Sequence, residues 1–325
     1  MENIIEVRDL QKEFSRRRKT VRAVQGISLN VKQGEIFGFL GPNGAGKTTT
    51  MRMLTTLLPI GRGDALVAGF SVKRQPRKVR RRIGYVSQLG GSDLPATGRE
   101  NLILAGRLYG ISRNDAEKKA DELIELFDLG ELQERKVKTY SGGQKRRLEI
   151  ALAMIHRPEI LFLDEPTTGL DLQNRTHLWD QIRKLKRLGT TVFLTTHYLE
   201  EADELADHLS IMDHGKMIAE GTPGSLKRQI QADIIIIKPQ DYQADRSQLA
   251  ESLSGSDTIN HAKVNGDSIY LYVENGTQTL PRIFTWLEKR HISLESVSLS
   301  QPSLDDVFLK YTGRSLRDTG REQIQ

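Results

Sequence analysis

Residues 41–48 read GPNGAGKT, and no other stretch constrains this chain as tightly. The spacing is G-x-x-x-x-G-K-[ST], with Gly41, Gly46, Lys47 and Thr48 at the defining positions. The apolar run EIFGFL (35–40) precedes it, and TTTMRMLTTLL, helical in character, continues from it. Strand, glycine-rich turn and helix in that order build a phosphate cradle. The glycines let backbone N–H groups point inward, and the helix contributes the positive end of its dipole. Lys47 is then placed to reach the outer phosphates, and Thr48 offers its hydroxyl to Mg2+. A chance glycine-rich turn would lack the strand before it and the helix after it.

The flanking sequence extends the pattern. EILFLD (159–164) and TTVFLT (190–195) are short, continuous apolar runs, as expected of strands buried on both faces of a parallel sheet. GISLNV (26–31) reads as a further strand before the turn KQGE. Helical stretches follow the strands, which is the pattern of an α/β domain. From about 94 the sequence turns helix-rich and charged, in GRENLILAGRLYG and RNDAEKKADELIELFDLG. This reads as a helical insertion, a subdomain over about 94–157.

Two acids end one buried run, in ILFLDEP (160–166). Ligands of open α/β sheets bind outside the carboxyl ends of the strands. Asp164 is therefore placed to hold Mg2+, and Glu165 to act on an attacking water, as a general base or a positioning group. A pair of acids merely capping a strand end is the plain alternative, and the phosphate loop weighs against it. His197 follows TVFLT, and Gln88 ends IGYVSQ, both just past strand ends. Gln88 carries donor and acceptor groups for Mg2+ or water. The expected catalytic set is Glu165, His197, Lys47 and Gln88. The expected metal set is Thr48, Gln88 and Asp164.

TYSGGQKRRLEIALAMI (139–155) raises a further question, because it looks like a second cradle. Ser141 is a good N-cap, and Leu148, Ala151, Leu152 and Ile155 form an apolar stripe that anchors the helix, with Pro158 to end it. One loop already holds a triphosphate within one chain. The second cradle is therefore expected to serve a nucleotide held by another subunit, so that two chains close on two ATPs.

After GTPGS (221–225) the character changes. Strand 233–238, helix 243–254, strand 257–263, strand 268–274, helix 277–290 and strand 292–299 give β-α-β-β-α-β, a ferredoxin-like order. A last helix lies in PSLDDVFLKYTG, with Ser303 and Asp306 spaced as a capping box and Gly313 as the stop. Its stripe of Leu304, Val307, Phe308 and Tyr311 is expected to dock onto this small domain. The division expected is 1–224, 225–313 and a flexible tail 314–325. At 325 residues the chain is long enough for both domains. No apolar run approaches the roughly 18 residues of a membrane helix. There is no cysteine, hence no disulfide or thiolate metal site. The start MENIIEVRDL lacks a signal-peptide core, which predicts a cytosolic protein. Net charge is +6, with basic runs SRRRK (15–19) and KRQPRKVRRR (73–82). Few aromatics interleave these charges, so a solvated face is favoured over a nucleic-acid groove. Weak attraction to anionic headgroups is compatible with it.

Taken together, these motifs resemble the ATP-binding-cassette family over about residues 4–222. GPNGAGKT is similar to its Walker A loop, SGGQ to its signature motif, ILFLDEP to its Walker B segment, Gln88 to the Q-loop, GLD (169–171) to the D-loop and His197 to the switch histidine. Tyr140 departs from the family's usual Leu before Ser-Gly-Gly. GRENL, RRRIGYVSQ and PSLDDVFLKYTGRSLRD narrow the resemblance to ATPase subunits of ABC-2-type exporters of the daunorubicin-resistance-like group. The resemblance implies a P-loop NTPase core of the ABC type with a helical insertion, plus a small α+β C-terminal domain. For nucleotide contact it implies Gly41, Asn43, Gly44, Gly46, Lys47, Thr48 and Thr49 from one chain. From the other it implies Ser141, Gly142, Gly143, Gln144 and Asp171. Phe14 is implied to stack on adenine. ATP and Mg2+, a head-to-tail homodimer and a separate membrane-spanning permease follow as expectations, with the chain peripheral on the cytoplasmic face of the membrane and no nucleic acid. The cargo implied is a drug, lipid or glycan. One rival is a soluble cassette ATPase acting on ribosomes or DNA, opposed by the single phosphate loop and the lack of sustained heptads. The other is a degenerate cassette that only binds nucleotide, opposed by Glu165 and His197.

Overall fold

The computed structural model describes residues 2–16, 19–230, 233–240, 246–254, 259–300 and 302–316. The described residues divide into two compact units, one of those up to Pro223 together with Leu316 and one of those from Gly224 to Ser315. The larger begins with β1 (Asn3–Arg16), β2 (Lys19–Lys32), β3 (Ile36–Leu40), α1 (Lys47–Leu54), β4 (Arg62–Val67), β5 (Phe70–Ser71), α2 (Pro76–Arg82) and β6 (Ile83–Val86). Helices α3 (Gly98–Leu108), α4 (Arg113–Leu126) and α5 (Gly142–Met154) follow. It ends with β7 (Ile160–Asp164), α6 (Leu172–Arg187), β8 (Thr191–Thr196), α7 (Leu199–Leu205), β9 (His208–Asp213) and β10 (Lys216–Gly221).

Two sheets organise this unit. One has the order β10-β9-β3-β8-β7-β6, parallel throughout except for the antiparallel β10–β9 pair at its edge. Its central strands β3, β7 and β8 are buried at every position. Side chains alternate faces along a strand, so both faces must be covered. Phe37, Phe39, Phe162 and Phe193 fall on the face shared with Ile5, Val7 and Leu10 of β1. Ile36, Leu161, Leu163, Val192 and Leu194 fall on the other, with Leu148 and Ile150 of α5 and Trp179 and Ile182 of α6. This double burial is why the runs carry no polar alternation.

The second sheet, β2-β1-β4-β5, is antiparallel. The expected strand 26–31 belongs here, as part of the longer β2. Its Ile27, Leu29 and Val31 are buried while Ser28, Asn30 and Lys32 are exposed, the alternation of a half-buried strand. The helical insertion is present as α3, α4 and α5 between the neighbouring parallel strands β6 and β7. A parallel pair needs a crossover, and this one carries the whole subdomain.

The smaller unit holds most of α8 (Pro223–Arg228), then β11 (Asp233–Pro239), α9 (Arg246–Ser254), β12 (His261–Asn265), β13 (Ser268–Val273), α10 (Gly276–Glu288), β14 (Leu294–Ser300) and α11 (Leu304–Thr312). Sheet order β12-β13-β11-β14, all antiparallel, is the ferredoxin-like arrangement read from the sequence. Ile235, Ile237, Ile269 and Leu271 pack against Leu249, Leu253, Ile283 and Leu287. Strand β12 lies later than expected, because Asn265 pairs with Ser268 across a tight turn; positions 257 and 258 lie outside the described residues, as do 243–245 of the expected helix. On α11 the Ser303–Asp306 capping box forms, and Gly313 ends the helix at φ 74°. Leu304, Val307 and Phe308 are buried. Tyr311 is not: it is 45% exposed, and its hydroxyl donates to Gln229 Oε1 at 3.0 Å. Of the expected flexible tail, residues 314–316 are described, and the Ser315 hydroxyl donates to both Asp305 carboxylate oxygens; positions 317–325 lie outside the described residues.

Phe193 stacks against Phe37 at 5.2 Å and meets Phe162 at 5.4 Å between centroids. Phe193→Ala should destabilise the larger unit by about 3–5 kcal/mol, read as a lower denaturant midpoint for its transition, while the transition of the smaller unit stays in place.

Candidate functional site

The loop 41–46 leaves β3 and enters α1 under steric constraint. Gly46 caps α1 at φ 105°. A Cβ there would lie 2.3 Å from the Ala23 carbonyl oxygen, and a Cβ on Gly41 would lie 2.2 Å from that of Met212. Both positions therefore exclude a side chain, and the first also excludes ordinary L-residue backbone. The result is a concave turn of backbone at the start of a helix.

Lys47 is 4% exposed. Its Nζ donates to the Gly41 and Pro42 carbonyls at 2.7 and 3.0 Å and lies 3.6 Å from Glu165 Oε1. Burial pushes its ammonium below the ordinary lysine value, against the pull of Glu165 and Asp164. Asp164, at the end of β7, is 2% exposed. Its Oδ1 accepts from Thr48 Oγ1 at 3.0 Å and from Thr195 Oγ1 at 2.7 Å.

Glu165 turns the chain sharply out of β7. Its φ is 47°, a left-handed conformation that a non-glycine residue holds only when its surroundings impose it. Here its N–H donates to both the carbonyl and the hydroxyl of Thr195 at 3.1 Å. The carboxylate accepts from Gln88 Nε2 at 3.2 Å and Thr168 Oγ1 at 3.4 Å, and His197 Nδ1 lies 3.4 Å away. The His197 contact above all, with Lys47 in support, holds the Glu165 carboxyl below the ordinary glutamate value, while burial opposes them. His197 Nδ1 is itself buried and makes no aligned hydrogen bond.

These groups surround a cavity of 470 Å³ lined by Ala23, Asn43, Gly44, Gly46, Lys47, Thr48, Thr49, Gln88, Glu165, Thr168 and His197. Residues from five separate stretches of sequence thus meet at one place. The donor set fits a phosphate chain: the backbone N–H groups of the loop and helix start, a buried ammonium and an imidazole. Thr48 and Asp164 supply hard oxygens of the kind Mg2+ takes alongside phosphate and water. Among the described residues no cluster of three His, Cys, Asp or Glu side chains holds a metal by itself.

The other expected contacts stand apart from this cavity. Ser141 and Gln144 close a reciprocal capping box on α5, with Ser141 N–H donating to Gln144 Oε1 at 2.9 Å and Gln144 N–H to Ser141 Oγ at 3.3 Å. Gly143 faces Asn174, whose Oδ1 a Cβ would meet at 2.4 Å. Asp171 caps α6 through Asn174. None of Ser141, Gly142, Gly143, Gln144 and Asp171 lines the cavity of its own chain. Nor does Phe14, which is 42% exposed and pairs with Val21 across the β1–β2 hairpin. Sequence reasoning passed over Thr195 and Thr168. The signal for Thr195 was the polar pair ending an otherwise apolar run, LTTH (194–197).

Comparison with known proteins agrees with this architecture. The family described as ABC transporter matches residues 24–168, and the one described as ATP-binding protein DrrA1-3-like, C-terminal domain, matches residues 221–312. The daunorubicin/doxorubicin resistance ATP-binding protein DrrA of Streptomyces peucetius is 45% identical over 93% of this chain and 91% of its own length. The linearmycin resistance ATP-binding protein LnrL of Bacillus subtilis is 36% identical over 97% of this chain and all of its own. Among solved structures, the dimeric post-hydrolysis state of the ATP-binding cassette MJ0796 bound to ADP and Pi aligns with TM-score 0.62 at 25% identity, over 67% of this chain and 98% of that one.

Two outcomes follow from the geometry. Gly46→Ala strains the loop by about 1–3 kcal/mol, so a fluorescent-ATP titration should show about ten- to a hundredfold weaker binding. Because the folded-state pKa of Glu165 is depressed, its charge contributes stability at pH values above the ordinary glutamate range and loses it as pH falls through the folded value. The stability difference between wild type and Glu165→Gln should therefore be larger at pH 7 than at pH 4 in denaturant titrations.

Proposed function

This chain belongs to the ATP-binding subunits of ABC transporters, and from that premise we propose that it hydrolyses ATP to drive export of a drug-like molecule through a separate membrane subunit. The observation that carries the ATPase reading is the convergence of Lys47, Thr48, Gln88, Glu165 and His197 on one cavity, with Asp164 bonded to Thr48 behind them. The export reading rests on the relatives: DrrA and LnrL are by name resistance ATP-binding proteins, and the similarity extends through the C-terminal unit. The membrane partner, of ABC-2 type, is proposed as another chain; among the described residues no helix is long and apolar enough to cross a membrane. A lipid or glycan cargo fits the same machinery. A soluble ATPase of ribosomes or DNA is not favoured by these relatives.

Each residue has a part in this reading. The loop N–H groups and Lys47 bind and orient the β- and γ-phosphates. Thr48 and Asp164, with Gln88 beside them, would hold Mg2+, which would offset charge on the phosphate oxygens. Glu165, kept ionised, accepts a hydrogen bond from the attacking water and aims it at phosphorus. His197 donates toward the γ-phosphate and fixes Glu165. Positioning and charge stabilisation are what phosphoryl transfer chiefly needs.

Ser141, Gly142, Gly143, Gln144 and Asp171 complete the site of a second copy. The first four carry N–H groups at the start of α5, Asp171 caps α6, and all five lie outside their own chain's cavity. A dimeric relative bound to ADP and Pi supports this arrangement. Each dimer then holds two ATPs, each between the loop of one chain and the α5 N-terminus of the other. Phe14, at the exposed end of the hairpin, is the proposed adenine platform.

Glu165→Gln should bind ATP, lose at least about a hundredfold in kcat and accumulate as an ATP-bound dimer in gel filtration with light scattering. Wild-type turnover by that variant would refute the role of Glu165. Ser141→Arg should lose hydrolysis by a comparable factor while the monomer binds ATP within about threefold of wild type; lost ATP binding by the monomer would refute the two-chain site.

A further inference from the structure

Arg146 sits five residues past Ser141 on α5 and is 6% exposed. A buried guanidinium demands acceptors for a fork of five N–H groups. Here they come from three places. Nε donates to the Pro166 carbonyl at 2.9 Å, and one terminal nitrogen donates to the Asp164 carbonyl at 3.0 Å. The other terminal nitrogen donates to the Ser87 carbonyl at 2.6 Å and to Glu149 Oε2 at 3.1 Å. Asp164 and Pro166 flank Glu165, so the guanidinium grips both sides of the left-handed bend that aims the catalytic carboxylate. Ser87 precedes Gln88, which itself donates to Glu165. Glu149, one turn along α5, closes on the same turn: a Cβ on Gly90 would meet its Oε1 at 2.1 Å. The Ser87 hydroxyl and the Gly90 N–H complete that turn.

We propose that Arg146 is a positioning residue that fixes Glu165 and Gln88 to the helix presenting Ser141. Given the two-chain reading above, on which the proposal rests, α5 serves the partner's nucleotide while Glu165 and Gln88 serve the chain's own. Arg146 therefore joins the two ATP sites through a single side chain. Seating a phosphate on the α5 N-terminus sets the carboxylate and the amide of the other site. A lysine cannot substitute, because one ammonium cannot span carbonyls on two separate segments as a planar fork does.

The test compares wild type and Arg146→Lys as full-length chains. Without nucleotide, amide exchange over 87–91 and 165–168 should accelerate at least about tenfold while α5 stays protected. With ATP, kcat should fall about ten- to a hundredfold with KM within about twofold. Glu149→Ala, which removes the carboxylate that accepts from Arg146 and abuts Gly90, gives a second route if Arg146→Lys folds poorly. It should lower kcat in the same way, and the double variant should cost no more than the larger single change. Wild-type exchange in either segment, parallel loss of kcat and ATP affinity, or multiplicative losses in the double variant would overturn the proposal. The exchange measurement needs no turnover, so a wild-type chain without ATPase activity would sink the functional reading and leave the coupling to be judged by exchange alone.

Discussion

Burying the Lys47 ammonium at 4% exposure sets the terms for everything around it. A cation removed from water is tolerated only with acceptors and countercharges in place. Two loop carbonyls accept its hydrogen bonds, and Glu165 and Asp164 supply the negative charge. Those acids need their own partners, which is why Thr48, Thr195, Gln88 and His197 gather there. The parallel sheet makes this possible. Register aligns Asp164 with Thr195 and Leu40 with Thr196, so β7 and β8 deliver their polar last residues to the edge where β3 runs into the loop. The apolar remainder of each strand pins that edge between two cores.

How the sequence displays this varies with the range of the interaction. The loop was fully legible because its constraint is local: glycines, lysine and threonine at fixed spacing between a strand and a helix. The central strands were legible because burial on both faces leaves an unbroken apolar run. The antiparallel sheet was harder. β1 and β2 alternate like any half-buried strand, and their pairing depends on a register that local pattern does not set. In the smaller unit, the order of strands and helices and the cap at Ser303 could be read directly, while the start of β12 shifted to suit its turn.

The site divides in the same way. Asp164, Glu165, Gln88 and His197 were found because each ends a strand of recognisable type. Thr195, Thr168 and Arg146 were passed over. Each acts through partners 30, 3 and as many as 59 positions away, and a threonine or arginine gives no sign of which carbonyl it serves. Reading Ser141 as an N-cap anticipated a satisfied helix start. Only the folded chain places that start outside its own cavity.

The central claim is that each hydrolytic site is shared by two chains, and mixing two inactive proteins tests it most directly. Lys47→Ala removes the loop's cation, and Ser141→Arg blocks the face offered to the partner. A mixed dimer joins the intact loop of one to the intact α5 of the other, leaving one complete site. The account predicts that ATPase activity appears on mixing, well above the sum of the separate preparations. A mixture as inactive as its components, with mixed dimers shown to form, would contradict it.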